Sequence, residues 1–169
     1  RVGIYSKKTA EITSSYGHVR VYDFNGSDWV QLGDIISGEN SIDALGFSMS
    51  LSNNGSVIAL GAPGIVDENN FSSGGIGGVR IFKFNNNLWQ QMGQNIIGGI
   101  DNWGYGDKLG ESVSISNDGY RVAVGGTGHY ISKGVVRIFD YVQEDDSWVQ
   151  VGNDILGENT RDISGSSIS

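Results

Sequence analysis

Apolar and polar residues alternate one by one along Phe47-Ser48-Met49-Ser50-Leu51-Ser52, break at Asn53-Asn54-Gly55, and resume as the apolar run Val57-Ile58-Ala59-Leu60. A period of two sends neighbouring side chains to opposite faces of a sheet, so this stretch predicts a strand, a turn and a second strand. Asn54-Gly55 tolerates positive φ at both residues, which predicts a two-residue hairpin loop. The same design returns at Leu109-Gly110-Glu111-Ser112-Val113-Ser114-Ile115-Ser116, with Asn117-Asp118-Gly119 as its turn and Arg121-Val122-Ala123-Val124 as its second strand. No stretch holds a sustained apolar spacing of three and four, so helices are expected to be nearly absent.

Two further patterns occur three times each. Val19-Arg20-Val21-Tyr22, Val79-Arg80-Ile81-Phe82 and Val136-Arg137-Ile138-Phe139 place their arginines 60 and 57 residues apart. Trp29-Val30-Gln31-Leu32-Gly33, Trp89-Gln90-Gln91-Met92-Gly93 and Trp148-Val149-Gln150-Val151-Gly152 place their tryptophans 60 and 59 apart. Each unit then holds four antiparallel strands, with polar turns such as Asn85-Asn86-Asn87 between the third and fourth. Four strands repeating at roughly 60 residues predict an all-β chain of β-propeller blades, with a sandwich or a solenoid of hairpins as the competing reading. The whole of residues 1–169 reads as one repeat region, with units at about 1–40, 41–100 and 101–160, and 161–169 beginning a further first strand. Three blades are too few to close a ring. The chain is therefore expected to be an arc of a larger propeller or to assemble with other copies.

Composition narrows the reading. The 27 glycines beside a single proline fit tight turns and close backbone packing, and exclude collagen or a proline-rich linker. A formal charge of −8 argues against nucleic acid as a partner, since phosphate binding needs a basic face. Absence of cysteine excludes disulfides and thiolate metal sites. No apolar run approaches the length of a membrane helix and no signal-peptide pattern is present. Because the first residue is Arg1, the chain is expected to be a mature product or an excerpt of something longer. Asn25-Gly26-Ser27, Asn54-Gly55-Ser56 and Asn70-Phe71-Ser72 match the glycosylation sequon, with Asn25 and Asn70 as the candidate acceptors.

Leu45-Gly46 and Gly61-Ala62-Pro63, flanking the opening hairpin, together resemble the FG-GAP repeat, the blade unit of integrin α heads and of secreted microbial and algal surface proteins. The second copy, Leu109-Gly110 to Gly125-Gly126-Thr127, lacks the Ala-Pro. The resemblance implies a propeller that works by binding in adhesion, outside the cell or at its surface, with a protein or a glycan as partner. Self-association or contact with neighbouring blades is expected as well. Blades of the integrin type often hold a calcium loop of spaced aspartates between their first two strands. Here that loop has shrunk to Asn53-Asn54-Gly55 and Asn117-Asp118-Gly119, too few carboxylates for the six to eight oxygens calcium takes. The family calcium site is therefore not carried over.

Candidate sites follow from departures and repeats. Trp103 and Tyr105 have no counterpart in the other units, and with Asp101 and Asn102 they form a candidate binding loop. Asp67, Glu68 and Asn69, followed by Asn70, offer oxygens for a weak calcium site, against the plainer reading of a solvated acidic loop. Asp43, Asp107 and Asp162 each precede a first-strand glycine by three residues, either as turn caps or as a ring of carboxylates. Arg20, Arg80 and Arg137 are expected to stack and hydrogen-bond between blades, and His18 and His129 to be structural or exposed. Gly46-Phe47-Ser48-Met49-Ser50 falls one residue short of a nucleophile elbow and no metalloprotease or phosphate-loop motif is present. The chain is thus expected to be a non-enzymatic binding module, with a structural repeat of a filament or sheath as the alternative and a glycoside-hydrolase-like propeller as the next.

Overall fold

A computed structural model of the chain describes residues 2–7, 16–40, 42–66 and 75–169, and among them the fold is all-β, with antiparallel sheets and almost no helix. The first sheet holds β1 (Val2–Lys7), β2 (His18–Phe24), β3 (Trp29–Gln31) and β4 (Ile36–Ser37). The second holds β5 (Met49–Leu51), β6 (Val57–Gly61), β7 (Gly78–Asn85), β8 (Leu88–Gln91) and β9 (Ile96–Ile97). The third holds β10 (Ser112–Ile115), β11 (Arg121–Gly126), β12 (Val135–Val142), β13 (Ser147–Gln150) and β14 (Ile155–Leu156). One helical turn, α1 (His129–Ser132), sits between β11 and β12. No helix among the described residues is long and apolar enough to cross a membrane.

The opening hairpin is looser than its sequence predicts. Ser52 N donates to Val57 O and Gly55 N donates to Ser52 O, so four residues rather than two separate the last paired positions. Only Gly55 has positive φ, at 71°. Asn54 instead caps the turn with its side chain, its Oδ1 accepting from Ser52 Oγ and from Ser56 N. Asp118 does the same for Ser116 Oγ and Tyr120 N.

Each sheet also ends on a two-residue strand, β4, β9 or β14, that four-strand reasoning misses. β7 pairs with β8 over one half of its length and with β9 over the other, on the same edge. The register slips by two residues between Phe82↔Gln91 and Val79↔Ile96, so β8 and β9 are one edge strand broken by a bulge. Gly93, at φ 72°, stands in the bulge, as Gly33 and Gly152 do in the other sheets.

Two apolar layers lie between the three sheets. β6 is buried on both faces. Ile58 and Leu60 join Val19, Val21 and Ile36 of the first sheet, while Val57 and Ala59 join Val122, Val124 and Trp148 of the third. Period-two alternation divides one strand between two cores. Burying each of the valine, leucine and isoleucine side chains stabilises the fold by about 1.5–3 kcal/mol.

Polar joints repeat across those layers. Trp89 Nε1 donates to Leu32 O and Trp148 Nε1 to Met92 O, each at 2.7 Å. The indole rests on the bulge glycine of the preceding sheet: a Cβ on Gly33 would lie 2.9 Å from Trp89 Cδ1, and one on Gly93 2.9 Å from Trp148 Cδ1. Ser48 Oγ donates to Gly110 O and Ser112 Oγ to Gly165 O, so the serines of the first strands hold the next unit. The sheets sit side by side but do not close into a ring, so the expected propeller is not seen as such.

Candidate functional site

The second and third sheets can be compared position by position through their shared register. Gly61 pairs with Val79 and Gly125 pairs with Val136, which sets Pro63 against Thr127, Ile65 against His129 and Phe47 against Glu111. Three apolar residues of the second sheet are polar in the third. Glu111 accepts hydrogen bonds from the Thr127 backbone N–H and from its hydroxyl. Gly128 N donates to Asp107 O, bringing the loop before α1 against the loop before β10.

His129, on the first residue of α1, meets Asp107 at that contact. Its Nδ1 lies 2.5 Å from Asp107 Oδ1. The other carboxylate oxygen, Oδ2, accepts from Gly99 N at 2.7 Å and from Arg137 Nη1 at 2.7 Å. Arg137 closes the chain of contacts with a two-pronged pair to Asp154, Nε to Oδ1 at 2.9 Å and Nη2 to Oδ2 at 2.8 Å. Asp107 is buried, so its charge is tolerable only with such partners. Burial opposes the charge on Arg137, but the hydrogen bond to Asp154 and the charge of Asp107 outweigh it and hold the guanidinium above its usual range. The hydrogen bond from Arg137 likewise holds the Asp154 carboxyl below its usual range, against its partial burial.

The second sheet has the same ion pair without the histidine. Asp43 Oδ2 accepts from Arg80 Nη2 at 3.2 Å, and from the N–H groups of Glu39 and Asn40, while Arg80 Nη2 also donates to Glu39 Oε2 at 2.9 Å. Asp43 and Asp107 thus accept backbone N–H groups, as the turn-cap reading has it, and each also pairs with an arginine of the chain. Arg80 pairs with Asp43 and with Glu39 of the preceding unit, a hydrogen bond between units of the kind expected, while Arg137 pairs with Asp107 and Asp154 of its own unit. His129, expected to be structural or exposed, belongs to a charged cluster. Its signal was available as a histidine standing where the sister unit has Ile65.

Asp101, Asn102, Trp103 and Tyr105 form one loop between β9 and β10. Asp101 Oδ1 accepts from Trp103 N and Tyr105 N, both at 2.9 Å, and this ties the loop into a compact turn. Trp103 and Tyr105 are left exposed, at 72% and 56%. The loop closes on itself through the Ile100↔Gly106 bridge, and Asp107 follows directly. The aromatic pair therefore rises from the same loop that supplies the buried carboxylate. Asn25 lies in the exposed β2 to β3 turn, where its Oδ1 accepts from Ser27 N and Asp28 N. Asp67, Glu68, Asn69 and Asn70 lie outside the described residues. Among the described residues no three acidic or histidine side chains are grouped to hold a metal ion.

No family model matches the chain, and no curated protein matches it in sequence. Solved structures do match. One is a putative 6-phosphogluconolactonase from Bacteroides uniformis, at a TM-score of 0.53 and 12% identity, with 96% of this chain and 43% of that one covered. Another protein of the same description, from Bacteroides fragilis, matches at a TM-score of 0.53 and 14% identity, covering 90% of this chain and 38% of its own. The likeness is one of fold. The chain spans less than half the length of either structure.

These matches correct two expectations. The resemblance to FG-GAP repeats of the integrin type rested on Leu45-Gly46 and Gly61-Ala62-Pro63, and these glycines have a different explanation: Gly61 admits Gly110 O within 2.0 Å of where a Cβ would stand. The motif marks close contact between units, a need shared by unrelated repeat proteins. The expectation of a non-enzymatic adhesion module, with its glycoprotein and integrin-like associations, is overturned with it, because the structures that share the fold bear enzyme names.

Proposed function

We propose that the three sheets are neighbouring blades, with units at 1–40, 41–100 and 101–160, in a propeller-type hydrolase that opens a sugar lactone. The observation that carries the reading is the His129–Asp107 contact, built where the sister unit has an apolar residue, in a chain whose fold is that of proteins named as putative lactonases.

Asp107 on Nδ1 selects the neutral tautomer in which Nε2 is the basic nitrogen. That nitrogen takes a proton from water as the water oxygen bonds to the lactone carbonyl carbon. The ring C–O bond then breaks, the proton passes to the departing ring oxygen, and a hydroxy acid is left. Arg137 acts through Asp107: its two carboxylate partners fix it, and it fixes the dyad. The exposed rings of Trp103 and Tyr105 offer faces on which a sugar can stack. Lys108, next to Asp107, and Lys133, next to α1, provide positive charge for a phosphate such as that of 6-phosphogluconolactone.

The test follows the loss of 6-phosphogluconolactone with and without the protein. Acceleration over spontaneous hydrolysis is expected, with a fall of about 10²–10⁴-fold in His129→Gln at unchanged circular dichroism. A wild-type rate equal to the spontaneous one, or a fully active His129→Gln, would falsify the proposal.

A further inference from the structure

The joints between sheets occur twice inside the chain, and each of them is left half-made at both ends. Trp148, buried in its joint, is 3% exposed, whereas Trp29 at the equivalent place in the first sheet is 53% exposed. Its natural seat would be a bulge glycine with an accepting carbonyl one residue before it. The third sheet has such a seat at Gly152, φ 72°, where an added Cβ would meet nothing within 4 Å. The apolar lining agrees. Met92 and Ile96 are 4% and 3% exposed under the third sheet, while their counterparts Val151 and Ile155 are 42% and 53% exposed.

The ionic joint is halved in the same way. Gly38-Glu39-Asn40 leads to Asp43, which binds Arg80; Gly157-Glu158-Asn159 leads to Asp162 at the same spacing. Asp162 Oδ2 accepts from Asn159 N at 2.6 Å just as Asp43 Oδ2 accepts from Asn40 N at 3.0 Å, so the turn is already formed. Among the described residues Asp162 has no arginine, and Arg20, on β2 where Arg80 stands on β7, has no carboxylate. The backbone repeats the theme. Ser164 bridges Gly134 as Leu109 bridges Gly77, which puts the segment 164–169 where a first strand belongs, while among the described residues β1 pairs with β2 alone.

We infer that the chain associates head to tail with a second copy of itself. Residues 161–169 of one copy and β1 to β4 of the other complete one shared sheet of the kind seen twice within the chain. In that sheet Asp162 and Glu158 receive Arg20 of the second copy, and Trp29 of the second copy seats on Gly152 and donates to Val151 O. Charge, shape and apolar surface match at the one interface, and its geometry is that of the two internal joints. The inference does not depend on any chemistry at His129.

Sedimentation equilibrium over a wide range of concentration tests it. The wild-type mass is expected to rise with concentration above 18.1 kDa in whole multiples of it. Arg20→Asp and Asp162→Arg should each weaken association by about tenfold or more, because they set like charges face to face. The double variant restores opposite charges and should regain the wild-type behaviour. A mixture of the two single variants should regain association with the two kinds of chain alternating, since every joint between unlike variants then has opposite charges. Trp29→Ala should weaken association without the charge change. A wild-type mass that stays at one chain throughout overturns the inference, as does an oligomer that none of these variants weakens.

Discussion

Trp148 donates its indole N–H to the carbonyl oxygen of Met92 at 2.7 Å, fastening the third sheet to the second one residue before the bulge at Gly93. Trp89 and Leu32 do the same between the second and first sheets. Replacing Trp148 by Phe keeps much of the apolar bulk and should cost about 1 kcal/mol for the lost hydrogen bond together with a smaller packing loss. Trp148→Ala should cost about 3–5 kcal/mol. Urea unfolding measures both, and equal losses for the two variants would contradict a joint made mainly of packing.

Gly93 and Gly152 share the same backbone conformation but not the same surroundings. Alanine at either position bears the strain of positive φ, about 1–2 kcal/mol. At Gly93 the new Cβ would also stand 2.9 Å from Trp148 Cδ1 and 3.2 Å from Asp146 O, whereas at Gly152 it meets nothing within the chain. Thermal unfolding at low protein concentration should therefore rank Gly93→Ala clearly below Gly152→Ala. The reverse order would show that the indole does not rest on the bulge.

Two arginines make two-pronged pairs with aspartate, and their removal should differ sharply. Arg121 pairs with Asp140 in solvent, with 60% of its side chain exposed, so Arg121→Met should leave stability nearly unchanged. Arg137→Met leaves Asp107 buried without its cation and should cost about 3–5 kcal/mol. Chemical denaturation of both variants at neutral pH checks the contrast.

Acid should act through Asp154. Its carboxyl is held below the usual carboxylate range by the hydrogen bond from Arg137, so the stabilisation it brings is complete above the unfolded value of about 4 and fades as pH falls through the lower folded value. Unfolding midpoints measured from neutral pH downward should fall less steeply in Asp154→Asn than in the wild type. An unchanged slope would remove Asp154 from the acid response.

Base should act through Tyr141. The hydrogen bond from its hydroxyl to Asp146, with burial and the aspartate charge adding to it, raises the phenol from 10.0 to about 12. Because the folded value is the higher one, this contribution is present below pH of about 10 and is lost as pH rises through about 12. Ultraviolet titration should show one late tyrosine in the wild type, and Asp146→Asn should bring it back toward the others.

The threefold repeat is legible in the sequence because Arg20, Arg80 and Arg137 and the tryptophans recur at nearly one spacing, and because Met49 and Leu51 alternate with serines. The fifth strands escape such reading. Each is only two residues long, and their signal is the recurrence of an apolar pair at Ile96-Ile97 and Ile155-Leu156. The cluster at His129 escapes for another reason: Asp107 is 22 residues away and Arg137 comes from the next strand, so only the sheet order brings them together. Comparing the copies against one another, Ile65 with His129 and Phe47 with Glu111, is the reading that finds it. The aromatic loop is legible as an insertion, but its link to Asp107 depends on how the loop closes.

The bulges at Gly33, Gly93 and Gly152 break the outermost strand of every sheet after three or four residues. A foreign strand laid along that rim could follow the hydrogen-bond register only that far before slipping by two, so the rim is a poor template for fibril growth. Proteins often guard such rims with lysine or proline, yet β3, β8 and β13 contain neither. Here the guard is a change of register, written into one glycine per sheet.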